Sequence, residues 1–389
     1  MKTKLKGRII TPVRIIENGE ITFEEGKLIY VGTRKNDDAF YECTDFGDGY
    51  ISPGFIDIHV HGGGGYDFMD GTEEAFLKTA ALHQSHGTTS MLATTLTCPD
   101  EELFAIFDVF GKIKEKKTVS CLAGLHLEGP YFSAAQKGAQ DERYIKAPEK
   151  EHYEIILAKG GKYIKRWSIA PELDGAMELG KILAARGILP SMGHSDAEYE
   201  TALEAYENGY THLTHFYSGM STIKRKGGFR HLGLIESGYM IDDLTVEIIA
   251  DGCHLPPPLL KYIYKAKGAD KVALVTDALR GAGTASSAMI LGSLSSGYEV
   301  IIEDGVAKLP DRSAFAGSIA TCDRLVRNMI RYADAPVTDA VKMMTATPAK
   351  IARFENKGIL RAGFDADIAV FDDDINIKAV YIGGSCVYA

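Results

Sequence analysis

The chain of 389 residues lacks paired cysteines, long apolar runs and an excess of positive charge, and each shortage closes off a class of protein. Its six cysteines, Cys43, Cys98, Cys121, Cys253, Cys322 and Cys386, include no Cys-x-x-Cys pair. Neither a thiolate zinc site nor a disulfide framework is therefore expected, and the thiols read as reduced packing residues. No stretch approaches the roughly 18 consecutive apolar residues of a membrane span. Met1 to Arg8 has the basic start of a signal peptide, but no apolar run or small-residue cleavage site follows, so a cytoplasmic location is expected. Lys and Arg number 43 against 53 Asp and Glu, a formal net charge of −10. That balance argues against nucleic acid or an anionic membrane as a partner, while leaving room for a local basic patch that grips a phosphate. The glycine run Gly62 to Gly65 has no trailing Gly-Lys-Ser/Thr, so it is not a P-loop; it reads as a loop that passes close to reactive side chains.

What the chain does have is an ordinary globular composition, 45% hydrophobic and 25% charged, at a length that exceeds one usual core. One large domain and one smaller one are expected. Residues 7–10, 13–16, 19–23 and 27–31 carry short β-patterned pieces separated by turn signals at Asn18-Gly19 and Glu25-Gly26. The last forty residues look alike, with strands at 367–371 and 377–382 around Asp372-Asp373-Asp374. Neither end has enough strands for a core, so residues 1–52 and 354–389 are expected to combine in one small β-sandwich. Between them, strand-like runs end near His61, Thr97, Glu128, Pro171, His194, His215, Asp251 and Asp277. The stretches that separate them, such as 73–86, 174–186 and 197–208, have helical composition. Eight βα units over residues 53–353 predict an α/β fold, a (β/α)8 barrel of the TIM type, whose functional groups gather at the C-terminal ends of the strands. A doubly wound open sheet is the rival, but it would collect a site at one switch point.

The chemistry-bearing residues fall at those strand ends. In Asp57-Ile58-His59-Val60-His61 the two histidines alternate with apolar residues, so both face one side of the strand. Glu128 ends the third strand ahead of Gly129-Pro130, where a carboxylate can hold or bridge a metal. His194 and His215 end the fifth and sixth strands. Imidazole and carboxylate together suit zinc or ferrous iron with a position left open for water. Asp277 closes the apolar run Val272 to Thr276, where a carboxylate is costly without a partner. Beside a metal site it has one, and it can act as general base and then general acid. His254, after Asp251 on the seventh strand, is placed to touch a substrate, whereas His126 and His212 read as packing residues or as supports to the ligands.

In this order and at these intervals, the segments His126-Leu127-Glu128-Gly129-Pro130, Gly193-His194-Ser195, Thr214-His215, Asp251 to His254 and Thr276-Asp277-Ala278 carry a resemblance. From Pro53 to Asp367 the chain resembles the N-acetylglucosamine-6-phosphate deacetylases of the amidohydrolase superfamily. The resemblance implies a distorted barrel with a flanking β-sandwich, a homodimer, and hydrolysis of the acetamide of an amino-sugar phosphate. It implies Glu128, His194 and His215 as main metal ligands, His59 and His61 as a second position, one or two divalent ions, and Asp277 as the catalytic aspartate. It also implies substrate contacts at Ala139 and Gln140, at Asp251 to His254, and at Phe315, Ala316 and Gly317. Two segments depart from the family pattern. Tyr217-Ser218-Gly219-Met220 stands where the family usually has Asn-Ala-Met, and Lys224 to His231 offers Arg225, Lys226 and Arg230 for a phosphate without the usual Arg-Glu-Pro-Gly spacing. Deacetylation of another N-acetylhexosamine phosphate, the galacto epimer included, and hydrolysis of an amide or cyclic imide are the sibling readings. A non-catalytic sugar-phosphate sensor on the same barrel is the rival from another class, and it would have no use for the proton-transfer aspartate.

Overall fold

In the computed structural model, which describes residues 2–35, 41–116 and 121–389, eight strands form one all-parallel sheet. They are Phe55–Val60, Thr88–Thr95, Leu122–Glu128, Ile164–Ile169, Leu189–Met192, His212–Leu213, Thr245–Ile248 and Val272–Leu274. Each hydrogen-bonds to the next along the chain, so the order around the sheet is the order in sequence. The first and last strands meet just beyond their ends, where Asp277 N–H donates to His59 O at 2.8 Å and His61 N–H to Ala278 O at 2.9 Å. The ring thus closes at its C-terminal mouth, completing the expected (β/α)8 barrel. The strands stop up to three residues short of the ends expected from sequence. His61, His194, His215 and Asp277 consequently sit on the first residues of the loops.

Both faces of these strands are covered; Phe55–Val60 and Thr88–Thr95 are buried at every position, as a parallel sheet requires. The helices Glu73–Ser85, Ala176–Ala185 and Tyr199–Glu207 lie within the stretches expected to be helical. Local chemistry sets their limits. Thr72 caps the first, its side chain accepting from Ala75 N–H, Glu73 and Glu74 lie at the positive end of the helix dipole, and Gly87 follows its end at φ 91°.

Strands from both terminal segments hydrogen-bond in one seven-stranded sheet, where a β-sandwich was expected. Its junction is the pairing of Tyr41–Pro53 with Ile368–Phe371, register Ile51 to Val370. Leu5, Ile9, Ile21, Phe23, Ile368, Val370 and Tyr381 build a core of its own. Glu25-Gly26 is the expected turn, both residues at positive φ (49° and 78°), the signature of a tight hairpin. Asn18-Gly19 is not a turn. It lies inside the single strand Ile15–Glu24, where the register jumps from Gly7–Gly19 to Ile9–Ile16 and two residues oppose one. This is a β-bulge, and glycine is required there because a Cβ on Gly19 would lie 2.6 Å from the Ile9 side chain.

A four-stranded antiparallel sheet, Ala288–Leu291, Tyr298–Glu303, Val306–Lys308 and Phe315–Gly317, follows the eighth barrel strand and has no counterpart in the expectations above. Its signal is Asp304-Gly305 between β-branched residues, with both residues at positive φ (53° and 78°). Phe371 joins the two domains: it is fully buried, belongs to the barrel's core, and packs 6.0 Å from the Phe55 ring and 5.7 Å from Tyr50. Phe371→Ala should lower unfolding stability in urea by about 3–5 kcal/mol, the usual loss for emptying a buried aromatic site. A change under about 1 kcal/mol would mean that the domain junction does not rest on this packing.

Candidate metal centre and active site

Six side chains from five strand ends converge at the mouth of the barrel. Glu128 Oε1 lies 3.0 Å from His215 Nε2, 3.3 Å from His194 Nε2 and 3.4 Å from His59 Nε2, while its Oε2 lies 3.3 Å from His61 Nε2. Asp277 Oδ1 is 3.1 Å from His61 Nε2 and 3.4 Å from His59 Nε2. Two overlapping groups capable of holding a cation result, His59–His61–Glu128 and Glu128–His194–His215, with Glu128 common to both. Three of these residues have left-handed backbones, His194 at φ 47°, His215 at 26° and Asp277 at 47°. Such conformations cost on the order of 1–3 kcal/mol each and persist where surrounding bonds impose them. Here the His215 N–H donates to Glu247 Oε1 at 2.9 Å, and Asp277 is held between His59 O and Ser318 N.

The hydrogen bonds on the far side of two imidazoles decide what the cluster demands. His194 Nδ1 faces Gln136 O at 2.9 Å and His59 Nδ1 faces Glu247 Oε1 at 2.7 Å. A carbonyl or carboxylate oxygen only accepts, so both Nδ1 atoms carry the proton, and the neutral rings aim Nε2 lone pairs at Glu128. His194 Nε2 and His215 Nε2 are also only 3.0 Å apart. Lone pairs crowded onto a buried carboxylate repel one another unless positive charge lies among them. A divalent cation satisfies all of them together, and the His/carboxylate donor set with its outer hydrogen bonds fits one. Without it the protein meets the demand with protons. Burial opposes the His59 imidazolium, yet the charges of Glu128, Asp277 and Glu247 hold its pKa up at about 10. His61 stands at about 9, burial again being outweighed, here by its bonds to Asp277 and Glu128. Burial pushes the Asp277 carboxyl up, but His59 and His61 more than reverse this, and it stays below the usual carboxylate range.

The cluster opens on a cavity of about 220 Å³. Of the substrate contacts expected from sequence, Ala139, Gln140, Ser218, Gly219, His254, Phe315, Ala316 and Gly317 line it, with His61, Glu128, His194, His215 and Asp277 at its floor. Gln140 also donates to Glu128 Oε2 at 2.8 Å while accepting from Thr97 N–H, so it supports a ligand as well as the wall. Asp251 does not line the cavity. Its carboxylate holds His254, with Oδ2 2.9 Å from Nδ1 and Oδ1 accepting from the His254 N–H, which leaves the other ring nitrogen for a ligand. Arg225, Lys226 and Arg230 lie on a hairpin, Lys224–Lys226 with Phe229–His231, away from this cavity in a single chain. Lys226 is paired with Glu198, Arg225 is exposed, and Gly227-Gly228 makes the hairpin turn. The glycine loop is a close approach: a Cβ on Gly62 would lie 2.8 Å from Arg280 N, and the Gly62, Gly64 and Gly65 N–H groups are spent on carbonyls of Ala278, Ala282 and Arg280.

Sequence reasoning missed Leu96, Gly138, Leu291 and Ala314 on the cavity wall, and Glu247 and Arg166 beneath it. Glu247 stands in Val246-Glu247-Ile248, and a lone carboxylate in an apolar strand is the signal that could have found it. His212 and His126 are the buried supports foreseen as one of their readings, His212 Nε2 on Glu247 at 3.2 Å and His126 Nε2 on Ser168 Oγ at 2.7 Å.

Residues 50–387 match the amidohydrolase family. N-acetylglucosamine-6-phosphate deacetylase of Bacillus subtilis is 31% identical over 389 residues, 98% of this chain and 95% of that one. N-acetylgalactosamine-6-phosphate deacetylase of a Shewanella species is 30% identical, covering 90% of this chain and 86% of that one. Among solved structures, a mutant N-acetyl-D-glucosamine-6-phosphate deacetylase of Mycobacterium smegmatis, in complex with N-acetyl-D-glucosamine-6-phosphate, superposes with a TM-score of 0.92 at 27% identity over the whole of both chains.

Because His59 and His61 hold protons up to about pH 10 and 9 in the cation-free cluster, cation uptake at pH 7 should release protons. The heat of zinc binding to chelator-stripped protein should then change with the ionisation enthalpy of the buffer. A heat independent of buffer would mean that the rings are already neutral.

Proposed function

The chain belongs to the amidohydrolase family, and from that premise we propose that it is a metal-dependent deacetylase that hydrolyses N-acetyl-D-glucosamine 6-phosphate to D-glucosamine 6-phosphate and acetate. The observation that carries the reading is Asp277, an ionised carboxylate 3.1 Å from His61 at the floor of the cavity, with His254 on the cavity wall, held from behind by Asp251. A divalent cation, zinc or iron, held by Glu128, His194 and His215 and with a second position at His59 and His61, supplies Lewis acidity toward water and the acetyl carbonyl. Asp277 takes a proton from the water as its oxygen attacks the acetyl carbon. His254, held through Nδ1 by the Asp251 carboxylate, presents its other ring nitrogen to the acetyl group and orients it for attack. When the C–N bond breaks, protonated Asp277 returns its proton to the amine nitrogen, and acetate and the amino sugar leave.

A phosphate needs cations, and no Lys or Arg is among the described residues that line the cavity. Arg225, Lys226 and Arg230 are the candidates read from the sequence, and we place them on a second copy of the chain, reaching into its neighbour's site. The exposure of apolar side chains near this hairpin, Phe229 at 77%, Met240 at 61% and Ile223 at 49%, supports a homodimer that covers them. The six free cysteines fit a cytoplasmic location. No helix among the described residues is long and apolar enough to cross a membrane.

Acetate release from N-acetylglucosamine and N-acetylgalactosamine, each with and without the 6-phosphate, tests the substrate. The gluco phosphate should be turned over best, and preference for the galacto epimer would reassign it. Asp277→Asn should keep fold and sugar-phosphate binding while lowering kcat by on the order of 10² to 10⁴; near wild-type turnover would place the proton transfer elsewhere. Of Arg225→Ala, Lys226→Ala and Arg230→Ala, at least one should lower kcat/KM by roughly 2–4 kcal/mol for the phosphorylated sugar alone. If none alters the ratio between the two sugars, the phosphate is bound by other groups.

A further inference from the structure

Beneath the ligand cluster the barrel interior holds a fully buried ion pair, Arg166 with Glu247, at a depth where barrels are usually filled by branched apolar side chains. Such a pair adds little to stability, because desolvation consumes most of the attraction, and apolar replacements of similar volume are often tolerated. Its contacts point to another use. The guanidinium is fixed from three further sides, by Ser191 Oγ at 3.1 Å, Thr214 Oγ1 at 2.9 Å and Ile58 O at 3.2 Å. It therefore holds the Glu247 carboxylate in one position. Glu247 Oε1 in turn accepts from His59 Nδ1 at 2.7 Å and from the His215 N–H at 2.9 Å. One carboxylate that stands apart from the cluster thus touches a member of each of the two overlapping ligand groups.

The first contact sets the His59 tautomer, with the proton on Nδ1 and the lone pair on Nε2 turned to Glu128 and Asp277. The second holds the left-handed backbone from which His215 projects. We infer that Glu247, fixed by Arg166, is a positioning residue for the cation cluster, and that cation affinity depends on it although it lies outside the ligand set. This rests on the metal-dependent reading above. If the pair served the core alone, its replacement would alter unfolding and leave cation affinity unchanged.

The test is zinc binding to chelator-stripped protein at constant pH, read by competition with a chromophoric zinc chelator, with circular dichroism and thermal unfolding as the check on fold. R166M/E247M removes both charges and leaves His59 Nδ1 without its acceptor; it should fold and should need roughly 10–100-fold more free zinc for filling, the usual cost of losing a partner behind a metal-bound histidine. R166M/E247Q restores an acceptor oxygen without the charge and should recover most of that affinity. E247D keeps a charge for Arg166 but withdraws the oxygen from His59, and it carries the test if the methionine pair does not fold; it too should weaken zinc binding. A folded R166M/E247M with wild-type affinity, or E247D with wild-type affinity where the double variant does not fold, overturns the inference and leaves the metal reading standing. A wild type that binds no zinc overturns both.

Discussion

Every other feature of the site depends on one electrostatic constraint: imidazole lone pairs aimed at a single buried carboxylate. Glu128 is 3% exposed and has four Nε2 atoms within 3.4 Å. An arrangement of this kind is unstable by itself, since the tautomers of His59 and His194 are pinned from behind and neither neutral ring can donate to the carboxylate. Positive charge must be present, as a cation or as protons on His59 and His61. The strained backbones at His194, His215 and Asp277 serve the same end. Each turns a side chain back over the barrel mouth two or three residues past the end of a strand, where a continued strand would carry it away.

The scaffold makes this constraint bearable. A parallel barrel buries both faces of every strand, so carboxylates and imidazoles within it have no water and must satisfy one another. The layer below the cluster shows the consequence, with Arg166, Glu247, His212, Thr214, Ser168 and His126 linked in one buried network. Ligands and supports come from most of the barrel strands, so loosening any one disturbs several. The cavity above is different in kind. Ala316, Gly317 and Phe315 arrive on the added antiparallel sheet, and Ala139 and Gln140 on the loop after the third strand. A floor at the barrel-strand ends and walls on added segments let the chemistry stay fixed while the wall decides what enters.

The barrel and the converging side chains were legible because both are written in short range: alternation in Asp57 to His61, an apolar run ending in Asp277, and Gly-Pro after Glu128. What the sequence did not show depends on contacts far apart along the chain. Arg166 and Glu247, 81 positions apart, give no sign of pairing until the fold brings them together. Asn18-Gly19 has the composition of a turn, and only the opposite strand, with Ile9 over Gly19, turns it into a bulge. The basic segment at Lys224 to His231 was legible as a set of cations, but Lys224 and Lys226 are paired with Asp196 and Glu198, whose proximity no local pattern reveals.

The central claim is that these residues work as a cation site and not as a hydrogen-bonded cluster. Turnover of N-acetylglucosamine 6-phosphate by protein stripped of metal, with metal content measured on the same sample, tests it most directly. The account predicts that acetate release vanishes with the metal and returns as zinc, iron(II) or cobalt is added back in proportion to the ion bound. Full turnover in demonstrably metal-free protein would contradict it.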